Sequence, residues 1–296
     1  MPVSSPGPLP PPHLALRVGV LDTDDPVASF DEVGRDMRRV ILDLLGPDWS
    51  FADKHVLDFG CGAGKVLRHM LDEARTATFH GCDIDQPSID WLRAHMSPPI
   101  NAFVNAPLPP LPLGEASLDL VLAMSVFTHL TTEWSAWLVE LHRVLKPDGL
   151  LIASFLGRGM SESVAGEPWV EDRIGMNVLD LGTPWNYGGP NVLLSPWWIR
   201  AHWGRAFEVL ELIDNERGHG LLLLRKRDRP IRPGELELPE PGEPRELVAL
   251  THQVRQLQRE LATVRESVTR PSAQPSVKAR IRRLGGAARR RLRSRG

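Results

Sequence analysis

The run Val56-Leu-Asp-Phe-Gly-Cys-Gly-Ala-Gly64 constrains this chain more than any other stretch. Its apolar start reads as a buried strand, and three glycines at alternate positions read as a tight turn opening a helix. Glycines there let the backbone reverse and let a ligand lie against the main chain. A helix from Lys65 to about Ala74 is expected to follow and to offer unpaired N–H groups at its start. Two ligand classes compete for such a turn. G-x-G-x-x-G turns hold a pyrophosphate, but here the spacing is G-x-G-x-G, with Lys65 where the last glycine would stand. Asp58 favours the second class. A carboxylate at the strand end repels a pyrophosphate and suits the amino group of a methionine moiety.

Strands and helices alternate after this turn. Strands are expected near 76–82, 100–104, 117–124 and 150–155, and helices near 87–96 and 132–145. That alternation predicts a parallel sheet covered on both faces. A helix starting at Ser29, with Glu32 completing a capping box, precedes the first strand. Residues 157–194 break the rhythm with seven glycines and three prolines. Ser195-Pro196 then reads as a helix cap followed by proline. Two closely spaced strands, 207–212 and 220–225, suggest an antiparallel pair.

The domain boundaries follow composition. Residues 1–12 are proline-rich and expected to be disordered. Residues 13–227 hold the α/β domain. Residues 228–244 form an acidic linker with five prolines. Residues 245–269 read as a coiled-coil-like helix, with Leu247, Leu250, Val254, Leu257, Leu261, Val264 and Val268 at heptad spacing. Residues 270–296 form a basic amphipathic tail. The formal net charge of −2 hides a split: nine Lys and Arg with no acid from Lys278 onward leave −11 for the rest (−2 minus 9). Nucleic acid is therefore an unfavoured partner for the body. The segment 277–296 could contact an anionic membrane, and 247–268 could form a homodimer or bind a partner helix. Two cysteines without zinc spacing, no signal core and no apolar run of spanning length point to the cytoplasm, with a possible place at the inner membrane face. No metal-ligand cluster is visible.

The second strand ends in Gly81-Cys-Asp-Ile-Asp85. An acid there can accept two hydrogen bonds from a ribose diol. Asp83 is read as that ligand and Asp85 as the cap of the next helix.

Taken together, the D-x-G-x-G-x-G turn, the G-x-D after strand two, Asn105-Ala106, Ser117-Leu-Asp-Leu-Val121 and His142-Arg-Val-Leu-Lys-Pro-Asp-Gly149 resemble the class I S-adenosylmethionine-dependent methyltransferases. The resemblance covers roughly residues 30–225. It implies a Rossmann-like, seven-stranded, mostly parallel sheet with an antiparallel last strand, plus the C-terminal helical extension. It implies S-adenosylmethionine as cofactor, lined by Asp58, Gly60, Cys61, Gly62 and Gly64. By the same resemblance Asp83 meets the ribose, Ile84 the adenine, Asn105 and Ala106 the adenine edge, and Ser125 the cofactor's acceptor side. More narrowly, Ser125-Val-Phe-Thr-His-Leu130 and Ser195-Pro-Trp-Trp-Ile-Arg-Ala-His-Trp203 resemble methyltransferases associated with saccharide biosynthesis, which implies a sugar hydroxyl as acceptor.

For such an acceptor, His129 is the leading general base, since a neutral imidazole suits that task near neutral pH. The competing reading is that it packs on the cofactor or caps a helix. His219 and His202 are further candidates. Trp169, Trp185, Tyr187, Trp197 and Trp198 are candidate stacking platforms, Trp185 and Tyr187 foremost. Ala123-Met-Ser-Val126 lacks the Asn/Asp-Pro-Pro-Tyr of amine methylation, and neither Cys61 nor Cys82 suits cytosine chemistry. A natural-product methyltransferase, or a non-catalytic scaffold acting through the C-terminal helix, are the alternatives. A nicotinamide oxidoreductase is the least favoured.

Overall fold

The computed structural model describes residues 6–18, 24–185 and 188–269. Seven strands form the main sheet: β1 (His55–Phe59), β2 (Thr78–Asp83), β3 (Ile100–Val104), β4 (Leu118–Ala123), β5 (Leu145–Phe155), β8 (Phe207–Ile213) and β9 (Gly220–Lys226). Their order is β3-β2-β1-β4-β5-β9-β8. All neighbours pair in parallel except β9, which inserts antiparallel between β5 and β8. The sheet is Rossmann-like, as the alternation implied. The near-continuous apolar runs of β4 and β5 exist because both sheet faces are covered. Asp119, the one acid in β4, sits at the strand's entry edge. It accepts from the His55 amide (2.9 Å) and pairs with Lys146 (2.7 Å) and Lys54 (3.3 Å).

Helices α1 (Pro26–Leu45) and α2 (Gln86–Met96) pack on one face, and α3 (Trp134–Val144) and α4 (Pro196–His202) on the other. On the second face Trp137 packs at a tilt against Phe59 of β1, with centroids 4.7 Å apart. On α1, Phe30 and Ile41 are fully buried. Each such side chain contributes about 1.5–3 kcal/mol by leaving water. The start of α1 corrects the sequence expectation. Asp25, not Ser29, is the cap: its carboxylate accepts from the amides of Val27 and Ala28, and Pro26 stands at the first helical position.

The expected helix over 65–74 is instead a chain of turns with two short 3₁₀ pieces, Leu67–His69 and Glu73–Arg75. Tertiary contacts bend this segment. Arg68 reaches the carbonyls of Gly7 (2.5 Å) and Pro8 (3.3 Å) and pairs with Asp31. Gly34 of α1 lies so close that a Cβ there would sit 2.1 Å from the Lys65 carbonyl oxygen. Gly34→Ala is therefore expected to cost about 1–3 kcal/mol by overpacking and to lower the thermal midpoint by several degrees. A calorimetric melt with an unchanged midpoint would show that α1 can move off the loop freely.

Three other segments differ from expectation. Residues 6–12 are docked rather than disordered: Gly7 donates to the Arg68 carbonyl (2.8 Å), and a short helix, Pro12–Ala15, buries Leu14 and Ala15. The linker 228–244 is packed too. Ile231 and Leu236 are buried, Pro233–Glu237 is helical, and Arg205 binds the Glu235 and Leu238 carbonyls at 2.7 and 2.5 Å. The irregular stretch 157–194 contains a two-stranded antiparallel sheet, β6 (Met176–Leu179) with β7 (Asn191–Leu194).

The chain divides after Val254 into two units. The final described helix, α5 (Arg245–Thr269), runs through that point. Up to Val254 its docked face is not the heptad stripe. Ala249 and Gln253 are buried, and Gln253 exchanges hydrogen bonds with both backbone groups of Val178 (2.9 and 3.0 Å), covering the β6 edge. Leu247, Leu250 and Val254 remain exposed. Among the described residues no helix is long and apolar enough to cross a membrane. The basic segment 277–296 lies outside the described residues.

Candidate active site

The carboxyl ends of β1 and β2 set two acids side by side. Asp58, in register with Gly81, is buried at the end of β1. Burial pushes its carboxyl up to about 7, although nearby Lys65 pulls the other way. Asp83, at the end of β2, is also raised by burial, against the pull of the Asp85, Gly62 and Ile84 amides. It accepts from the Gly62 amide through one oxygen and the Asp85 amide through the other, both at 2.8 Å. Asp85 caps α2 instead, accepting from the Ser88 amide (3.2 Å) and hydroxyl (2.5 Å) and pairing with Arg17.

The loop between them differs from a phosphate cradle in an informative way. Gly60, Gly62 and Gly64 all take left-handed φ values of 76°, 53° and 81°. A Cβ on Gly60 would also meet Val126 at 2.4 Å. The loop's own amides are turned inward. The Gly60 and Cys61 amides both donate to the Cys82 carbonyl (2.8 and 3.0 Å), Gly62 to Asp83, and Gly64 to the Cys61 carbonyl (3.0 Å). With those amides engaged, no α-helix behind the turn and two acids beside it, the site suits a cation rather than a pyrophosphate. Cys61 packs in the loop with its thiol pushed well up by burial and then by Asp58, so it is inert.

Beyond Asp83 the site turns apolar with one polar opening. Ile84 is 40% exposed at the strand end, unusual for an isoleucine. Asn105 follows β3 beside it, its amide donating to the Asp83 carbonyl (3.2 Å). The Asn105 side-chain nitrogen donates to the Ala106 carbonyl (2.8 Å), which leaves its buried Oδ1 without a partner. A buried acceptor left unmet costs about 1–3 kcal/mol. An adenine amino group would satisfy it, with the ring against Ile84. Ribose would meet Asp83, and a methionine ammonium Asp58. The residues present thus fit the adenine amino group, the ribose and the ammonium of S-adenosylmethionine.

On the other side of the loop, the turn after β4 carries Ser125, which also has a left-handed φ of 60°. Its amide donates to the Ser154 hydroxyl (2.7 Å), and that hydroxyl lies 3.4 Å from His219 Nδ1. Burial first, then the charges of Lys65 and His129, lowers His219 to about 4 and keeps it neutral. His129 is exposed, and its Nδ1 is 2.8 Å from the Pro190 carbonyl. A carbonyl only accepts, so Nδ1 carries the proton and the neutral ring presents an Nε2 lone pair. Trp185 is 46% exposed, and its Cα and the His129 ring both lie beside Gly189. Tyr187 lies outside the described residues.

Several candidates do not belong here. His202 is buried between the Leu236 carbonyl (2.6 Å) and Glu246 (2.9 Å). Trp197 and Trp198 are both core residues, and Trp169 donates to Glu171 (2.9 Å). Asp214 is paired with Arg158 at 2.8 Å. Sequence reasoning missed Lys65 and Ser154. Ser154 did carry a signal, as a lone hydroxyl in the apolar run of β5.

Residues 57–153 match the family model described as a methyltransferase domain. The cofactor of this domain is S-adenosylmethionine. Among curated proteins, the chain is similar to a malonyl-[acyl-carrier protein] O-methyltransferase of Hahella chejuensis, 29% identical over 136 residues, covering 44% of this chain and 46% of that protein. It is also similar to a fatty-acid O-methyltransferase of Mycolicibacterium smegmatis, 30% identical over 130 residues, covering 43% of this chain and 46% of that protein. The chain spans about half the length of these curated relatives. A solved S-adenosylmethionine-dependent methyltransferase from Mesorhizobium loti is 16% identical, with a TM-score of 0.49 over 67% of this chain and 100% of that one. The methyltransferase match ends within β5, so His219 and Trp185 lie outside it while His129 lies inside.

Proposed function

We propose that this chain is an S-adenosylmethionine-dependent O-methyltransferase acting on a hydroxyl, with a sugar or glycoconjugate as acceptor. The observation that carries the hydroxyl reading is the His129 arrangement: Nδ1–H held by the Pro190 carbonyl, Nε2 free to take a proton. When bound, S-adenosylmethionine supplies an electrophilic methyl on a sulfonium. Asp58 and Asp83 orient the two polar ends, Asn105 receives the adenine amino group, and Val126 closes over Gly60. With S-adenosylmethionine bound, His129 Nε2 would take the proton of the acceptor hydroxyl. His219, beside Ser154, helps line the acceptor side, and Trp185 offers an aromatic face to a ring. Holding the reacting groups in line supplies much of the rate gain.

A second reading is favoured by the relatives, whose names specify acyl and fatty-acid O-methylation. A carboxylate acceptor is already ionised and needs no base, so His129 would only position it. Label transfer from methyl-labelled S-adenosylmethionine separates the two. The hydroxyl reading expects product label that survives mild alkali, as a methyl ether does. Label released as methanol would mark a methyl ester and replace the first reading by the second.

A further inference from the structure

We propose that α5 pairs with α5 of a second copy of this chain as a parallel, in-register, two-stranded coiled coil. Along this helix Leu247, Val254 and Leu261 take the a positions of a heptad, and Leu250, Leu257 and Val264 the d positions. Six of the fifteen exposed large apolar side chains among the described residues lie on this one helix, five of them at a or d. Leu247 is 72% exposed and Leu250 61%. A continuous apolar stripe of this kind marks an interaction site on a soluble protein. The single chain buries Ala249 and Gln253 instead, at the c and g positions. From Arg255 to Arg265 it buries no side chain of the helix at all. Helices in proteins owe most of their stability to a packed apolar face, which a second copy would supply here.

The flanking charges select both the occupant and its direction. In a parallel pair each g residue faces the e residue of the following heptad on the other helix. Glu260 stands at g and Arg265, five residues on, at e. Two identical helices in register therefore bring Glu260 of each copy to Arg265 of the other, giving two ion pairs across one seam. The remaining couples, Glu246 with Thr251 and Gln253 with Gln258, bring no like charges together. An antiparallel pair sets g against g and e against e, so Glu260 and Arg265 would not meet. Val254 at a with Leu257 at d is the combination that favours two strands over three or four. The far side of the helix carries Arg255, Gln256 and Arg259, as a water-facing side should.

Sedimentation velocity of the full chain over a concentration series is expected to show a dimer, and Leu261→Glu, at an exposed position, a monomer. Glu260→Arg and Arg265→Glu should each weaken the dimer about tenfold, because two attractions become two repulsions, and the double exchange should restore it. Disulfide trapping reads the direction. Cys61 and Cys82 are buried, so an introduced thiol reports alone. Leu250→Cys and Val264→Cys, at d positions in opposite halves of the stripe, should each link to its own counterpart under mild oxidation. An antiparallel pair would link neither variant to itself. A wild-type chain that stays monomeric throughout overturns the proposal, whether its stripe stays bare or takes up another protein or a lipid surface. So does a dimer that survives Leu261→Glu, one in which neither introduced thiol links, or one that the double exchange fails to restore.

Discussion

Replacing His129 with glutamine is expected to lower kcat on a hydroxyl acceptor by about 10²–10⁴-fold, the usual worth of a positioned base. Glutamine can still donate to the Pro190 carbonyl that His129 Nδ1 now meets at 2.8 Å. The loop bearing Gly189 and Trp185 should therefore keep its place, and cofactor affinity should change by less than about twofold, within the spread of distant substitutions. The loss should fall on kcat rather than on cofactor binding, because proton removal matters only as the new bond forms. Steady-state kinetics alongside calorimetric titration of the variant measure both. A variant that keeps full turnover would assign His129 to packing.

Asp58→Asn is expected to weaken S-adenosylmethionine binding by about 10–100-fold, since a charge-assisted hydrogen bond to a buried carboxylate is worth roughly 1.5–3 kcal/mol. The expectation has a pH signature. Burial holds the Asp58 carboxyl up at about 7, so below that pH it carries a proton and cannot accept from an ammonium. Affinity should rise as pH increases through about 7. Lys65, lowered by burial to about 8 despite the opposing pull of Asp58, loses its charge above that value. The two groups titrate as a coupled pair. Affinity should accordingly climb from pH 6 to 7.5, and Asp58→Asn should remove that climb while moving Lys65 to a lower pKa, since the carboxylate that raises it is gone. Titrations at pH 6, 7.5 and 9 would reveal it. An affinity that is flat across this range in the wild type would mean that Asp58 does not meet a charged group.

Most of the sheet was legible in the sequence because its signals are local. The apolar runs of β4 and β5 and the glycines after Phe59 declare themselves within a few residues. Ser195-Pro196 marks α4 equally plainly, and the Ser195 hydroxyl accepts from the Trp198 amide as a cap should. What stayed hidden depends on distant partners. Lys65–Ala74 has helical composition, yet Arg68 is drawn to Gly7, Pro8 and Asp31 and the backbone follows. The segment 228–244 has a linker's prolines and acids, but two apolar residues, Ile231 and Leu236, are enough to anchor it when Arg205 binds its carbonyls. The short strands β6 and β7 were masked by the glycines and prolines around them.

The candidate site divides along the same line. Asp58, Asp83 and the glycines were readable because the strand ends that carry them are adjacent in a parallel sheet. That the loop amides are engaged, and that Asn105 Oδ1 is left unmet, are facts of packing with no sequence signature. The proposed acceptor side draws on Ser125, Ser154, His129, Pro190 and His219, from four separate stretches, and no periodicity relates them. This is why the chemistry of the cofactor could be read from a motif and the acceptor could be approached only through His129 and Trp185.

The central claim is that the loop after β1 binds a sulfonium amino-acid nucleoside and not a dinucleotide. Isothermal titration of the full chain with S-adenosylmethionine and, separately, with NAD tests it most directly. The account predicts saturable binding of S-adenosylmethionine at one site, weakened by Asp58→Asn, and no measurable heat with NAD. Saturable binding of NAD, or of neither ligand, would contradict it.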